Sequence, residues 1–133
     1  MSCVSVKDLI GCKYKVHGRS KEEGFDCLGI DIEVLRRNGI EIPDINYKSP
    51  EQYESVFIEE QKKVEYRKVE RPCELAIIVF KVRGEPTHTG IYLGEGLFIH
   101  ATKGGVRVEP LHRWENRVEG YYVCICKNHQ ESV

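Results

Sequence analysis

The sequence predicts an α+β fold, with N-terminal helices packed on an antiparallel β-sheet. Three observations lead there. Apolar residues recur at helical spacing in the first half, behind residues that start helices. Short apolar runs, rich in β-branched residues and separated by turns, fill the second half. The helical signals come first and the strand signals follow, which is the order of an α+β domain.

The elements follow in chain order. Ser5 and Asp8 form a capping-box pattern ahead of Leu9 and Ile10, and a short helix ends near Gly11. Residues 12–25 are rich in glycine and charge and read as a loop. Asp26 is a good N-cap, and Leu28, Ile32 and Leu35 then share one helical face. Asn38-Gly39 is the stop. Pro43 to Tyr47 reads as a linker, and Ser49-Pro50 with Gln52 starts another helix whose stripe is Tyr53, Val56 and Phe57. Glu59 to Arg71 reads as a solvated helix face and linker. Leu75 to Phe80 is a buried strand, and Arg83-Gly84-Glu85-Pro86 turns the chain. Strands follow at Thr87–Leu93, Leu97–Thr102, Val106–Glu109 and Tyr121–Cys126, with Gly94-Glu95-Gly96 and Lys103-Gly104-Gly105 as turns. Trp114, Tyr121 and Tyr122 read as core.

The chain has 133 residues, enough for one domain over 1–133. Its 20 basic and 21 acidic residues nearly cancel, so no basic stripe marks a nucleic-acid partner. No apolar run approaches the roughly 20 residues of a membrane helix. Met1 to Asp8 has neither a basic lead nor an apolar core of a signal peptide, so a cytoplasmic start is expected. The six cysteines are then expected as reduced thiols, most of them small buried hydrophobes. Cys124, Cys126, His129 and Cys73 form the candidate set for a metal site. Cys-Ile-Cys lacks the usual zinc spacing, so no metal is expected.

Cys27 differs from the other cysteines by position. It follows the N-cap directly, where the helix dipole and free N–H groups favour a thiolate and could hold an oxyanion. Gly29, with no β-carbon, would let another element come close. The plain alternative is a buried thiol at a helix start, and position alone does not separate the two.

A thiolate nucleophile works best beside an imidazole. His88 and His100 lie in neighbouring strand segments. If Gly94-Glu95-Gly96 is a three-residue hairpin loop, Gly90 pairs with His100. His88, Gly90, Tyr92, Phe98, His100 and Thr102 then share a face. The two histidines become diagonal neighbours, about 7–8 Å apart at the backbone. One ring could then orient the other and set its tautomer. A two- or four-residue loop would put them on opposite faces.

At these residues the chain resembles the NlpC family of cell-wall cysteine peptidases. Gly24-Phe25-Asp26-Cys27-Leu28-Gly29 resembles the nucleophile motif, and His88-Thr89-Gly90-Ile91-Tyr92-Leu93-Gly94 the strand that carries the base. Phe98-Ile99-His100-Ala101 resembles the strand with the third polar residue, and Gly11-Cys12-Lys13-Tyr14 the segment beside the nucleophile. The resemblance implies a papain-like α+β fold, Cys27 as nucleophile, His88 as base and His100 as its orienter. It implies Tyr14 and Asp26 near the substrate or oxyanion. It implies hydrolysis of amide bonds in peptidoglycan stem peptides, often between γ-D-glutamyl and a diamino acid, with no metal or organic cofactor.

The chain departs from the family pattern in places. Leu28 replaces the usual serine and is similar to the form in phage-tail and gene-transfer-particle members. Cys73-Glu74 replaces Gly-Asp, and His17 stands where glycine is common. A phage- or prophage-associated hydrolase is therefore expected, reaching the wall with tail proteins in a particle or by lysis. The alternative is a tail assembly protein that keeps the fold without the activity.

Overall fold

The computed structural model describes residues 5–44, 66–82 and 85–125. The helix start at Ser49-Pro50, its stripe, the Arg83-Gly84 turn residues, Cys126 and His129 lie outside them. The described elements are β1 (Arg19–Ser20), β2 (Gly24–Phe25), α1 (Cys27–Arg37), β3 (Tyr66–Val69), β4 (Ile77–Val82), β5 (Glu85–Gly94), β6 (Leu97–Thr102), β7 (Gly105–Pro110) and β8 (Val118–Cys124). The fold is α+β: one α-helix lies on a six-stranded sheet of order β3-β8-β4-β5-β6-β7, with every neighbouring pair antiparallel. Among the described residues no helix is long and apolar enough to cross a membrane.

The sheet is covered on both faces, which explains the unbroken apolar run of β4. Ile77 and Val79 join Ile91, Ile99, Ala101 and Val106 against Ile30, Val34 and Leu35 of α1. Ile78 and Phe80 point the other way and pack with Phe98, Leu111 and Trp114. In α1 the buried face centres on Ile30, Asp31 and Val34, leaving Ile32 only half-buried. Asn38 ends the helix, its side chain donating to Val34 O at 2.8 Å, and Gly39 turns at φ +82.

Other elements differ from expectation. The Ser5–Asp8 capping box does not form: Lys7–Leu9 is one 3-10 turn without a side-chain cap, and Asp8 instead pairs with Arg37 of α1. The loop over 12–25 contains the β1–β2 hairpin. Tyr66–Val69, expected in a solvated stretch, pairs with β8, because its half-buried Tyr66 packs on the core. Of the described cysteines, Cys73 is exposed, and Cys12, Cys27 and Cys124 are half-buried, none of them in a disulfide.

Candidate active site

Cys27 opens α1 because Asp26 caps the helix, accepting from Gly29 N–H at 2.8 Å. The same carboxylate accepts from Arg19 Nη1 at 2.9 Å and from His17 N–H at 2.8 Å. It is 1% exposed. The bonds observed for Asp26 hold the start of α1 in place.

Glycines let residues 13–24 wrap the helix start. A β-carbon on Gly29 would lie 2.2 Å from Gly18 O, and one on Gly18 2.2 Å from Gly24 O. His17 sits at φ +66, a left-handed conformation that glycine adopts without strain. The Asp26 bond to its N–H holds it there.

Tyr14 is brought beside Cys27 by the backbone. Phe25 N–H donates to Lys13 O, Lys15 N–H donates to Phe25 O, and Tyr14 forms a parallel bridge with Phe25. Burial pushes the Tyr14 phenol above its usual pKa, and the charges of Cys27 and Asp26 push it further. Cys27 itself is half-buried.

The histidines meet across β5 and β6. Ile91 pairs with Ile99 and Tyr92 with Phe98, the register of the three-residue reading. The turn differs: Gly94 pairs with Leu97, so the turn proper is the two residues Glu95-Gly96, and an irregularity at Leu93 restores the register. His88 Nε2 lies 2.8 Å from His100 Nδ1. A β-carbon on Gly90 would fall 2.8 Å from Ile99 O and 3.2 Å from His100 Cβ, so glycine keeps the space between the rings open. The rings pack among aromatics, with Phe80 tilted against His88 at 5.6 Å, Phe98 tilted against His100 at 4.5 Å and Trp114 edge-on to His100 at 5.0 Å.

Sequence reasoning missed how the run continues. His100 Nε2 lies 2.8 Å from Glu109 Oε2, and Trp114 Nε1–H donates to Glu109 Oε1 at 3.3 Å. In the β6–β7 register Phe98 faces Glu109 and His100 faces Arg107, so Glu109 is diagonal to His100. The register logic used for the first hairpin, applied to the second, would have found it.

Burial disfavours the charged form of both imidazoles. For His88 the neighbouring His100 adds to this and Glu109 opposes it. For His100 the Glu109 hydrogen bond and charge oppose burial, Arg107 adds to it, and the net shift is down. Both rings are neutral at pH 7.

A second missed pair ties helix to sheet. Thr89 Oγ1 donates to Asp31 Oδ2, both side chains buried. Asp31 stands one helical turn after Cys27, and Thr89 follows His88, so the start of α1 is anchored at the strand position next to the first imidazole. Burial pushes the Asp31 carboxyl well up; Thr89 opposes this and Asp26 adds to it. Among the described residues no three or more His, Cys, Asp or Glu side chains are arranged to hold a metal ion.

The pattern of this chain matches the model of the NlpC/P60 family over residues 11–123. The chain belongs to the NlpC/P60 family. It is 30% identical over 114 residues to the murein DD-endopeptidase MepS/murein LD-carboxypeptidase of Escherichia coli (strain K12), covering 83% of this chain and 54% of that one. It is 33% identical over 102 residues to the gamma-DL-glutamyl hydrolase of Bacillus subtilis (strain 168), covering 73% of this chain and 22% of that one. The chain thus spans about half the length of the first of these relatives, and less of the second. The crystal structure of the NlpC/p60 domain of the peptidoglycan hydrolase SagA superposes with a TM-score of 0.58 at 24% identity, covering 86% of this chain and 89% of that one. The NlpC/P60 fold is thereby shown for the described core.

Proposed function

We propose that the chain is a cysteine peptidase that hydrolyses amide bonds of peptidoglycan stem peptides, at the bond between γ-D-glutamyl and a diamino acid. The observation that carries this is the hydrogen-bonded His88–His100 pair, in a family member whose half-buried cysteine opens a helix. The names of the two relatives support a murein or γ-glutamyl substrate.

The proposed chemistry is acyl transfer. His88 Nδ1 takes the thiol proton of Cys27, and Sγ attacks the amide carbon. The N–H groups that start α1, with the Tyr14 hydroxyl, stabilise the oxyanion. Collapse breaks the C–N bond, and His88 returns the proton to the leaving amine. Water, deprotonated by His88, then attacks the thioester carbon; the C–S bond breaks, the carboxylic acid leaves, and His88 returns its proton to the Cys27 sulfur. His100 holds the His88 ring throughout. The residues named here supply each proton transfer.

Delivery by a phage particle is the finer part of the proposal and rests on Leu28. Copurification of the chain with particles would support it, and its absence from every particle fraction would remove it. For the chemistry, mass spectrometry of muropeptides is the test, with wild type, Cys27→Ala and His88→Ala. Wild type should produce new free carboxyl and amine ends. His88→Ala should slow this by about 10²–10⁴-fold, the usual weight of a general base. Wild type and Cys27→Ala equally inactive on all wall fragments would overturn the reading and leave the tail assembly protein.

A further inference from the structure

We propose that Glu109 is a positioning residue of this site: its carboxylate sets the tautomers of both histidines and so leaves the lone pair of His88 Nδ1 available. The inference rests on the proposed role of His88, and goes beyond it by naming what prepares that base.

The reasoning is donor and acceptor accounting. An ionised carboxylate can only accept. Trp114 Nε1 can only donate, and it occupies Glu109 Oε1. At 2.8 Å from Glu109 Oε2, His100 Nε2 must carry its hydrogen. His100 is neutral, so its Nδ1 has none and accepts. At 2.8 Å from that nitrogen, His88 Nε2 must in turn donate. His88 is neutral as well, so its remaining nitrogen, Nδ1, is an unprotonated base. Each assignment follows from the one before, and the first comes from Glu109.

The surroundings suit the role. His100 is 0% exposed, so water cannot substitute for the acceptor. Partial burial raises the Glu109 carboxyl, but hydrogen bonds from His100 and Trp114, with the charge of Arg107, outweigh it and hold it below the usual range. It therefore stays ionised through neutral pH. The groups facing His100 are His88 from β5, Glu109 and Arg107 from β7, and the Trp114 ring. When His88 takes a proton, the same carboxylate stabilises the new charge through His100. No proton needs to reach Glu109.

The test combines imidazole 15N NMR of the resting protein with kinetics. In wild type both His88 and His100 should show hydrogen on Nε2. Glu109→Leu should give mixed tautomers, and kcat should fall about 10–100-fold, the usual weight of a partner that orients a functional side chain, with KM within about twofold. Glu109→Gln keeps one acceptor oxygen without the charge. It should fall between the two in kcat and shift the acid limb of the pH–rate profile to lower pH, because the Glu109 charge favours protonated His88. Hydrogen on His100 Nδ1 in wild type would overturn the inference, even where Glu109→Leu does not fold. So would a folded Glu109→Leu with unchanged tautomers and unchanged kcat. Tautomers that respond in a wild type cleaving no muropeptide would retain the positioning role and remove the proposed function. Cleavage that ignores Glu109 would do the reverse.

Discussion

At the scale of the residue, Cys27 is defined by its backbone position. It begins α1, at the positive end of the helix dipole, and is half-buried. Thiol-directed reagents should therefore modify Cys27 before Cys12, Cys73 and Cys124, as peptide mapping after brief alkylation would show. Even modification of all of them would count against an activated thiol. Cys27→Ala removes only one partly exposed sulfur, so its thermal stability should stay within about 1–2 kcal/mol of wild type. His17 shows how a departure from a family pattern is absorbed. A non-glycine at φ +66 is tolerated because Asp26 holds its N–H. His17→Gly should accordingly leave stability within about 1 kcal/mol, strain relief and chain entropy nearly cancelling.

At the scale of the element, the start of α1 and its junction with β5 matter most. Asp26 is at once the helix cap, the partner of Arg19 and the anchor of His17. Asp26→Ala should destabilise by about 2 kcal/mol or more, since a lost cap alone costs about 0.5–2. It should also slow alkylation of Cys27, because the first turn loses its frame. Equal stability in urea melts would contradict this. Asp31 carries the opposite sign. Its folded pKa lies above the unfolded value, so its contribution is present at low pH and is lost as pH rises. Asp31→Asn should then raise the melting temperature more at pH 7.5 than at pH 4.5. A larger gain at the acidic pH would refute the assignment. The β5–β6 hairpin shows the limits of element-level reading. The two-residue turn on its own would have separated the histidines, and the irregularity at Leu93 brings them back to one face.

At the scale of the whole molecule, one sheet divides two packed faces. One face meets α1; the other holds both imidazoles among Phe80, Phe98 and Trp114. Burying two titratable rings couples the site to global stability. Their folded pKa values lie below the unfolded value, so unfolding takes up protons on acidification. Stability should be complete above about pH 6.5 and fall below it, by up to about 1.4 kcal/mol per pH unit for the fully buried His100. Glu109, depressed through its hydrogen bonds, adds a loss of the same sign at lower pH. Denaturant midpoints from pH 7.5 to 4.5 measure this, and a His100→Phe variant should show a flatter profile. An identical profile in wild type and variant would rule it out.

By itself the sequence determined what depends on short range. Capping put Cys27 at a helix start, and the two-residue period put His88 and His100 in line with Gly90, because both signals act over a few residues. The tertiary structure alone decided what depends on distant chain meeting. It brought Glu109 and Trp114 to His100, gathered Arg19 and His17 on Asp26, joined Thr89 to Asp31, and made a strand of Tyr66–Val69. It also decided which groups stay neutral, since that follows from the water each one loses on burial, a quantity set by neighbours that may lie anywhere in the chain.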